Sequence, residues 1–99
     1  MLGRVTAYLH IHIHVTDPER FSRYQALAPA SMRAYGARLL AKATQPELLE
    51  GEASHPVSVL LEFDDAEAAK RWYASPEYAE AIEARRGAAS FVTTLLPGV

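Results

Sequence analysis

From Val5 to Val15 the chain alternates without a break. Val5, Ala7, Leu9, Ile11, Ile13 and Val15 occupy the odd positions, and Thr6, Tyr8, His10, His12 and His14 the even ones. A period of two marks a strand with one apolar face and one polar face. Thr16-Asp17-Pro18-Glu19 then predicts a helix start, with Thr16 as N-cap, Pro18 tolerated in the first turn and Glu19 closing a capping box. Phe21, Tyr24, Ala28, Met32 and Tyr35 recur at steps of three and four and share one helical face. Pro29 removes a backbone donor and predicts a kink or a split in that helix. Gly36 supplies the left-handed residue that ends it.

Residues 37–43 form a second extended run, and Leu48-Leu49-Glu50-Gly51 is expected to resume it after the break at Gln45-Pro46. Val57, Val59, Leu61 and Phe63 alternate with Ser58, Leu60 and Glu62, which gives a third strand with a clear apolar face. Asp64 is the expected N-cap of a helix through Trp72 and Tyr73, and Ser75-Pro76-Glu77 opens another that runs to about Arg86, with Gly87 as its stop. The β-branched and aromatic stretch 90–96 makes the last strand, ended by Pro97-Gly98. The order strand, helix, strand, strand, helix pair, strand predicts an α+β, ferredoxin-like βαββαβ domain covering residues 1–99. It has a four-stranded antiparallel sheet with helices on one face. The uncovered face must then be solvated or pack on a second copy, and two such sheets face to face make a dimeric α/β barrel.

Composition narrows the function. Ninety-nine residues allow one domain, and 49% hydrophobic with 22% charged residues is globular composition. Ten basic against 12 acidic side chains leave a net charge of -2, with no basic field to attract a phosphate backbone, so nucleic acid is not an expected partner. The absence of Cys excludes disulfides, thiolate metal sites and a cysteine nucleophile, and suits a reducing cytoplasm. No apolar run is long enough to span a membrane, and Met1-Leu2-Gly3-Arg4 does not lead into an export signal. Without a phosphate-binding glycine loop or a dinucleotide fingerprint, no organic cofactor is expected.

Four landmarks in order carry a family resemblance: His14-Val15-Thr16-Asp17-Pro18-Glu19, Tyr35-Gly36-Ala37-Arg38-Leu39-Leu40, Leu49-Glu50-Gly51 and Trp72-Tyr73-Ala74-Ser75-Pro76-Glu77-Tyr78. Together they resemble domain-of-unknown-function family 1330, in the dimeric α/β-barrel superfamily, over nearly the whole chain. The segment Arg85-Arg86-Gly87-Ala88-Ala89 is similar to the family's approach to its final strand. The resemblance implies a ferredoxin-like fold and a homodimer. Its superfamily contains cofactor-free monooxygenases, isomerases, haem proteins and ligand sensors, so it implies no single reaction. The chain departs from the family in Ala37, where a second Gly is common, and in its histidine ladder.

That ladder is the sharpest chemical feature. His10, His12 and His14 lie on one face of a strand expected to be central, with same-face neighbours roughly 6.6 Å apart, so at most two can share a metal ion. No metal ligand set is assigned, because the third ligand is not identified. An imidazole has a pKa suited to proton transfer near neutrality, so His12, His10 and His14 are candidate catalytic bases. Glu62 is a candidate carboxylate to orient one of them, and Tyr8 a candidate donor to a developing enolate or phenolate. Tyr24, Tyr35 and Trp72 could stack on a planar ligand, and Arg38 could hold its anionic group. The expected function is therefore a homodimeric, cofactor-independent enzyme, monooxygenase- or isomerase-like, acting on a planar or enolisable metabolite. The metabolite would sit between sheet and helices or at the dimer seam. The alternatives are a non-catalytic ligand-binding or structural dimer module and a His-x-His metal protein.

Overall fold

The computed structural model describes residues 5–99. The expectation of no export signal rests on Met1 to Arg4, which lie outside them. Strand β1 (Ala7–Val15) leads into helix α1 (Pro18–Ala34), then β2 (Arg38–Ala43), β3 (Val57–Phe63), α2 (Ala66–Tyr73), α3 (Pro76–Ala84) and β4 (Ala89–Pro97). The strands form one sheet in the order β2-β3-β1-β4, with every neighbouring pair antiparallel. This is the ferredoxin-like arrangement. All three helices cover one face, and the Cα atoms span only 15 Å in the thinnest direction, the depth of one sheet and one helical layer.

The alternation along β1 has the expected consequence. Ala7, Leu9, Ile11 and Ile13 are buried beneath the helices, and Tyr8, His10, His12 and His14 point to the open face. Val59, Leu61 and Phe63 join the buried side from β3. The core is completed by Trp72 and Tyr78, both fully enclosed, with ring centroids 4.0 Å apart. Trp72 donates its Nε1–H to the Oγ of Ser31 (3.1 Å), and that hydroxyl donates to the Ala28 carbonyl (2.7 Å). The Tyr24 and Tyr78 hydroxyls share a hydrogen bond of 2.7 Å. Every buried side-chain N and O atom among the described residues has a hydrogen-bond partner, as a well-formed core requires.

The structure differs from the sequence expectations at element ends. Asp17, not Thr16, caps α1, accepting from the Arg20 N–H. Thr16 is instead occupied with the Ala88 carbonyl, to which both its N–H and its hydroxyl donate. Asp65, not Asp64, caps α2, because Asp64 is drawn to Arg38. Ser75 caps α3 as expected and accepts from the Tyr78 N–H. Pro29 does not split α1: the helix runs on to Ala34, with Pro29 on its exposed side, where water can serve the carbonyl freed four residues earlier. Gly36 and Gly87 do take positive φ, 79° and 78°. Residues 48–51 do not resume β2. Two prolines, Pro46 and Pro56, and Gly51 at φ 90° hold the β2–β3 connection out of the ladder.

The helices do not cover the sheet evenly. Helix α2 lies on β1, β3 and β4, whereas α1 packs chiefly against α3. Of the residues that α1 turns inward, Phe21, Tyr24, Ala28 and Ser31, the last two are small. Small side chains at this point leave the β1-β3-β2 side of the sheet incompletely filled, and that gap positions the candidate site.

Candidate functional site

The sheet presents two different chemical surfaces. On the open face, His10 and His12 lie with ring centroids 3.9 Å apart at a 41° tilt. They are flanked by Leu60 and Ser58 from β3 and by Thr94 and Val92 from β4. Burial and the neighbouring His12 hold the His10 imidazole below its ordinary pKa, so it favours the neutral form. His14 donates its Nδ1–H to the Ser54 carbonyl (3.2 Å). His55, which the sequence reading left unassigned, is held at both ring nitrogens, with Nδ1 2.8 Å from the Ser54 hydroxyl and Nε2 2.9 Å from the Ser90 hydroxyl. A single histidine between Ser54 and Pro56 has no periodicity to reveal it; only the folding of the β2–β3 connection across the sheet brings it here. That connection and the sheet enclose a cleft of about 590 Å3, bordered by His12, His55, Glu47, Glu52, Ser58 and Val92.

Tyr8 and Glu62 share this face, as the register pairs Tyr8 with both Glu62 and Leu96. Glu62 does not orient an imidazole. It accepts from Arg38 Nε at 2.7 Å, while Arg38 Nη1 reaches Asp64 at 2.9 Å. Arg38 sits opposite Glu62 across β2–β3, so strand register makes this pair. With two carboxylates, the guanidinium is held above its ordinary pKa and its own charge is already answered. Among the described residues, no three His, Asp or Glu side chains gather to hold a metal ion.

On the helix side, a groove of about 320 Å3 opens between α1 and the β1-β3-β2 part of the sheet. Buried Ile11, Ile13, Phe21, Tyr24, Val59 and Leu61 form its floor, and Gln25, Arg33, Leu39 and Lys42 stand exposed at its edge. Tyr24 is the one aromatic candidate that reaches it. Burial pushes the Tyr24 phenol well above its ordinary pKa and raises that of Tyr78, so both stay neutral. Trp72 is fully enclosed beside Phe63 and Tyr78. Tyr35 donates its hydroxyl to Glu77 Oε1 at 2.8 Å. Arg85 lies 3.5 Å over the Phe91 ring and 5.6 Å from that of Tyr24, closing the core end as a cation on aromatic faces. The histidines and the groove are thus on opposite sides of one sheet. Arg33 and Lys42 were not legible as site residues, because the apolar floor between them comes from strands far apart in sequence.

Fold and site together define a small ferredoxin-like α+β domain with a covered, grooved sheet face and an open, histidine-bearing one. The chain belongs to the family described as Domain of unknown function (DUF1330), whose model matches residues 6–99. No protein of curated function matches the sequence. Among solved structures, it is similar to a protein of unknown function from Rhodopseudomonas palustris, with TM-score 0.78 and 14% identity over 97% of this chain and 84% of that one. It is also similar to SnoaB, a cofactor-independent oxygenase from Streptomyces nogalater, with TM-score 0.58 and 18% identity over 96% and 92% of the two chains. A third is a dimeric protein of unknown function and ferredoxin-like fold from Bacteroides fragilis, with TM-score 0.60 and 14% identity over 93% and 95%. At these identities the likeness is one of fold. No helix among the described residues is long and apolar enough to cross a membrane.

Proposed function

We propose that the chain is a cytoplasmic homodimer that holds a small, largely apolar organic molecule in the groove between α1 and the sheet. The groove itself carries this reading. An unfilled apolar recess of about 320 Å3 interrupts a core whose polar groups are otherwise all satisfied, and ligand sites are typically such concave, mostly apolar recesses. The dimer rests on the open face. Val92 and Leu96 stand 47% and 42% exposed there, beside half-buried Leu60, and an apolar sheet face of this kind is covered by pairing with a like face. The related Bacteroides fragilis protein, described as dimeric, supports the same state.

A naphthalene-sized neutral probe such as 2-naphthalenemethanol is expected to bind saturably and to raise the melting temperature, since a ligand of the native state stabilises it by mass action. Ala28→Phe, which places a ring in the groove, should abolish that shift while the protein stays folded. Ala28→Leu serves the same purpose where Phe is not accommodated. Undiminished binding in both folded variants would remove the groove from the account.

A second reading is favoured by one observation: His12 borders the open-face cleft beside His10, whose surroundings keep it neutral. In that reading His12 is a general base at the dimer seam, acting without a cofactor on an enolisable metabolite, with Tyr8 as a hydrogen-bond donor. The similarity to a cofactor-independent oxygenase agrees with this class of chemistry.

A further inference from the structure

The groove has a charge pattern that its apolar floor does not require. Two side chains at its edge are cations, Arg33 in the last turn of α1 and Lys42 on β2, and among the described residues no carboxylate borders it. The strand register places Lys42 opposite Val59, whose buried side chain faces the helices, so the lysine belongs to the groove side of the sheet. Among the described residues neither Arg33 nor Lys42 has an ion-pair partner, in contrast to Arg38 and Arg86, which are paired with carboxylates. Surface cations are ordinarily solvated, but two flanking one apolar recess in a chain of net charge -2 make a local field opposite to the overall one.

The cleft on the other side of the sheet differs in sign. It is bordered by Glu47 and Glu52 together with imidazoles, so it offers an anion no comparable pair of fixed cations. The last turn of α1, with its partial negative charge, borders the groove through Met32 and Arg33, but that charge amounts to only about half a unit, less than the two cations supply.

Building on the groove as the ligand site, we infer that its ligand is an amphipathic organic anion: a mono- or bicyclic apolar body carrying a carboxylate, or an equivalent phenolate or enolate. The apolar body occupies the floor over Ile11, Val59 and Leu61. The anionic group lies at the edge between Arg33 and Lys42, where partial exclusion of water strengthens charge-assisted hydrogen bonds. The volume is near the lower end of the range for small-molecule sites, which fits a compact ligand rather than a long lipid.

The test compares 2-naphthoate, 2-naphthalenemethanol and 2-naphthylmethylammonium, which share a ring system and differ in charge. Naphthoate is expected to bind about tenfold more tightly than the alcohol, and the ammonium more weakly than either. The preference for naphthoate should shrink as salt is raised from 0.05 to 0.5 M. In the Arg33→Gln/Lys42→Gln double variant, naphthoate should fall to the affinity of the alcohol, while the alcohol binds as before. Both substitutions are at exposed positions, so the fold is retained. Equal binding of all three probes to the wild type would overturn the anion assignment and leave the groove as a ligand site. Failure of every probe to bind would overturn the groove reading itself.

Discussion

Replacing Trp72 with alanine is expected to destabilise the folded chain by about 4 kcal/mol, in the middle of the range for truncating a large aromatic side chain in a packed core. Trp72 is fully enclosed, stacks 4.0 Å from Tyr78 and 5.9 Å from Phe63, and donates its ring N–H to Ser31. Alanine leaves a cavity lined by those rings and strips the Ser31 hydroxyl of its donor. Because small domains carry only about 5–15 kcal/mol in total, this loss is a large fraction of the whole. Trp72→Phe should cost less, about 1–3 kcal/mol, because it keeps most of the ring packing and forfeits the hydrogen bond. Urea unfolding at fixed protein concentration separates the two. A loss below 1 kcal/mol for the alanine variant would contradict an enclosed structural role and return Trp72 to the candidate ligand contacts.

The second expected effect is a loss of stability on acidification. Burial first, and the adjacent His12 second, hold the His10 pKa in the folded chain below its ordinary value near 6.5. Above that value neither the folded nor the unfolded His10 is protonated, and it makes no difference to stability. As pH falls below 6.5 the unfolded chain takes up a proton that the folded chain resists, so unfolding is favoured until the folded pKa is reached. In the proposed dimer a second sheet over the open face would remove further water from His10 and His12, so the dimer should be more sensitive than a free subunit. The groups facing this pair are Tyr8, Ser58, Leu60, Val92 and Thr94, with Glu62 already committed to Arg38. Glu47, Glu52 and His55 border the cleft beside His12, yet neither carboxylate is among the causes that act on His10, whose pKa stays lowered. Melting temperature and sedimentation between pH 7.5 and 5 should therefore show declining stability and growing dissociation, both flattened by His10→Asn. A flat wild-type profile would mean that the histidine face stays in water.

Much of this was legible in the sequence where periodicity spoke. The alternation from Val5 to Val15 gave the strand, its buried side and the common face of His10, His12 and His14. Glu62 fell on that same face, but the alternation within one strand could not say so; the antiparallel register of β1 with β3 decides it. The same register, carried on to β2, delivers Arg38 to Glu62, a pairing between residues 24 apart that no local pattern encodes. The N-caps slipped by one residue at Thr16 and Asp64 for a similar reason. Each offers good capping chemistry, and each is claimed by a distant partner, Ala88 in one case and Arg38 in the other. The sequence allowed a ligand between sheet and helices or at the dimer seam, but the groove's position and lining escaped it, because they arise from what is missing: a small residue, Ala28, where α1 packs chiefly against α3.

The most direct test of the groove as the ligand site is an amide and methyl NMR titration of the protein with 2-naphthoate. The account predicts saturable shifts centred on Ile11, Ile13, Ala28, Leu39, Val59 and Leu61, with the histidine face unchanged. Shifts centred instead on His12, Ser58 and Val92 would contradict it, and would move the ligand to the open face and its imidazoles.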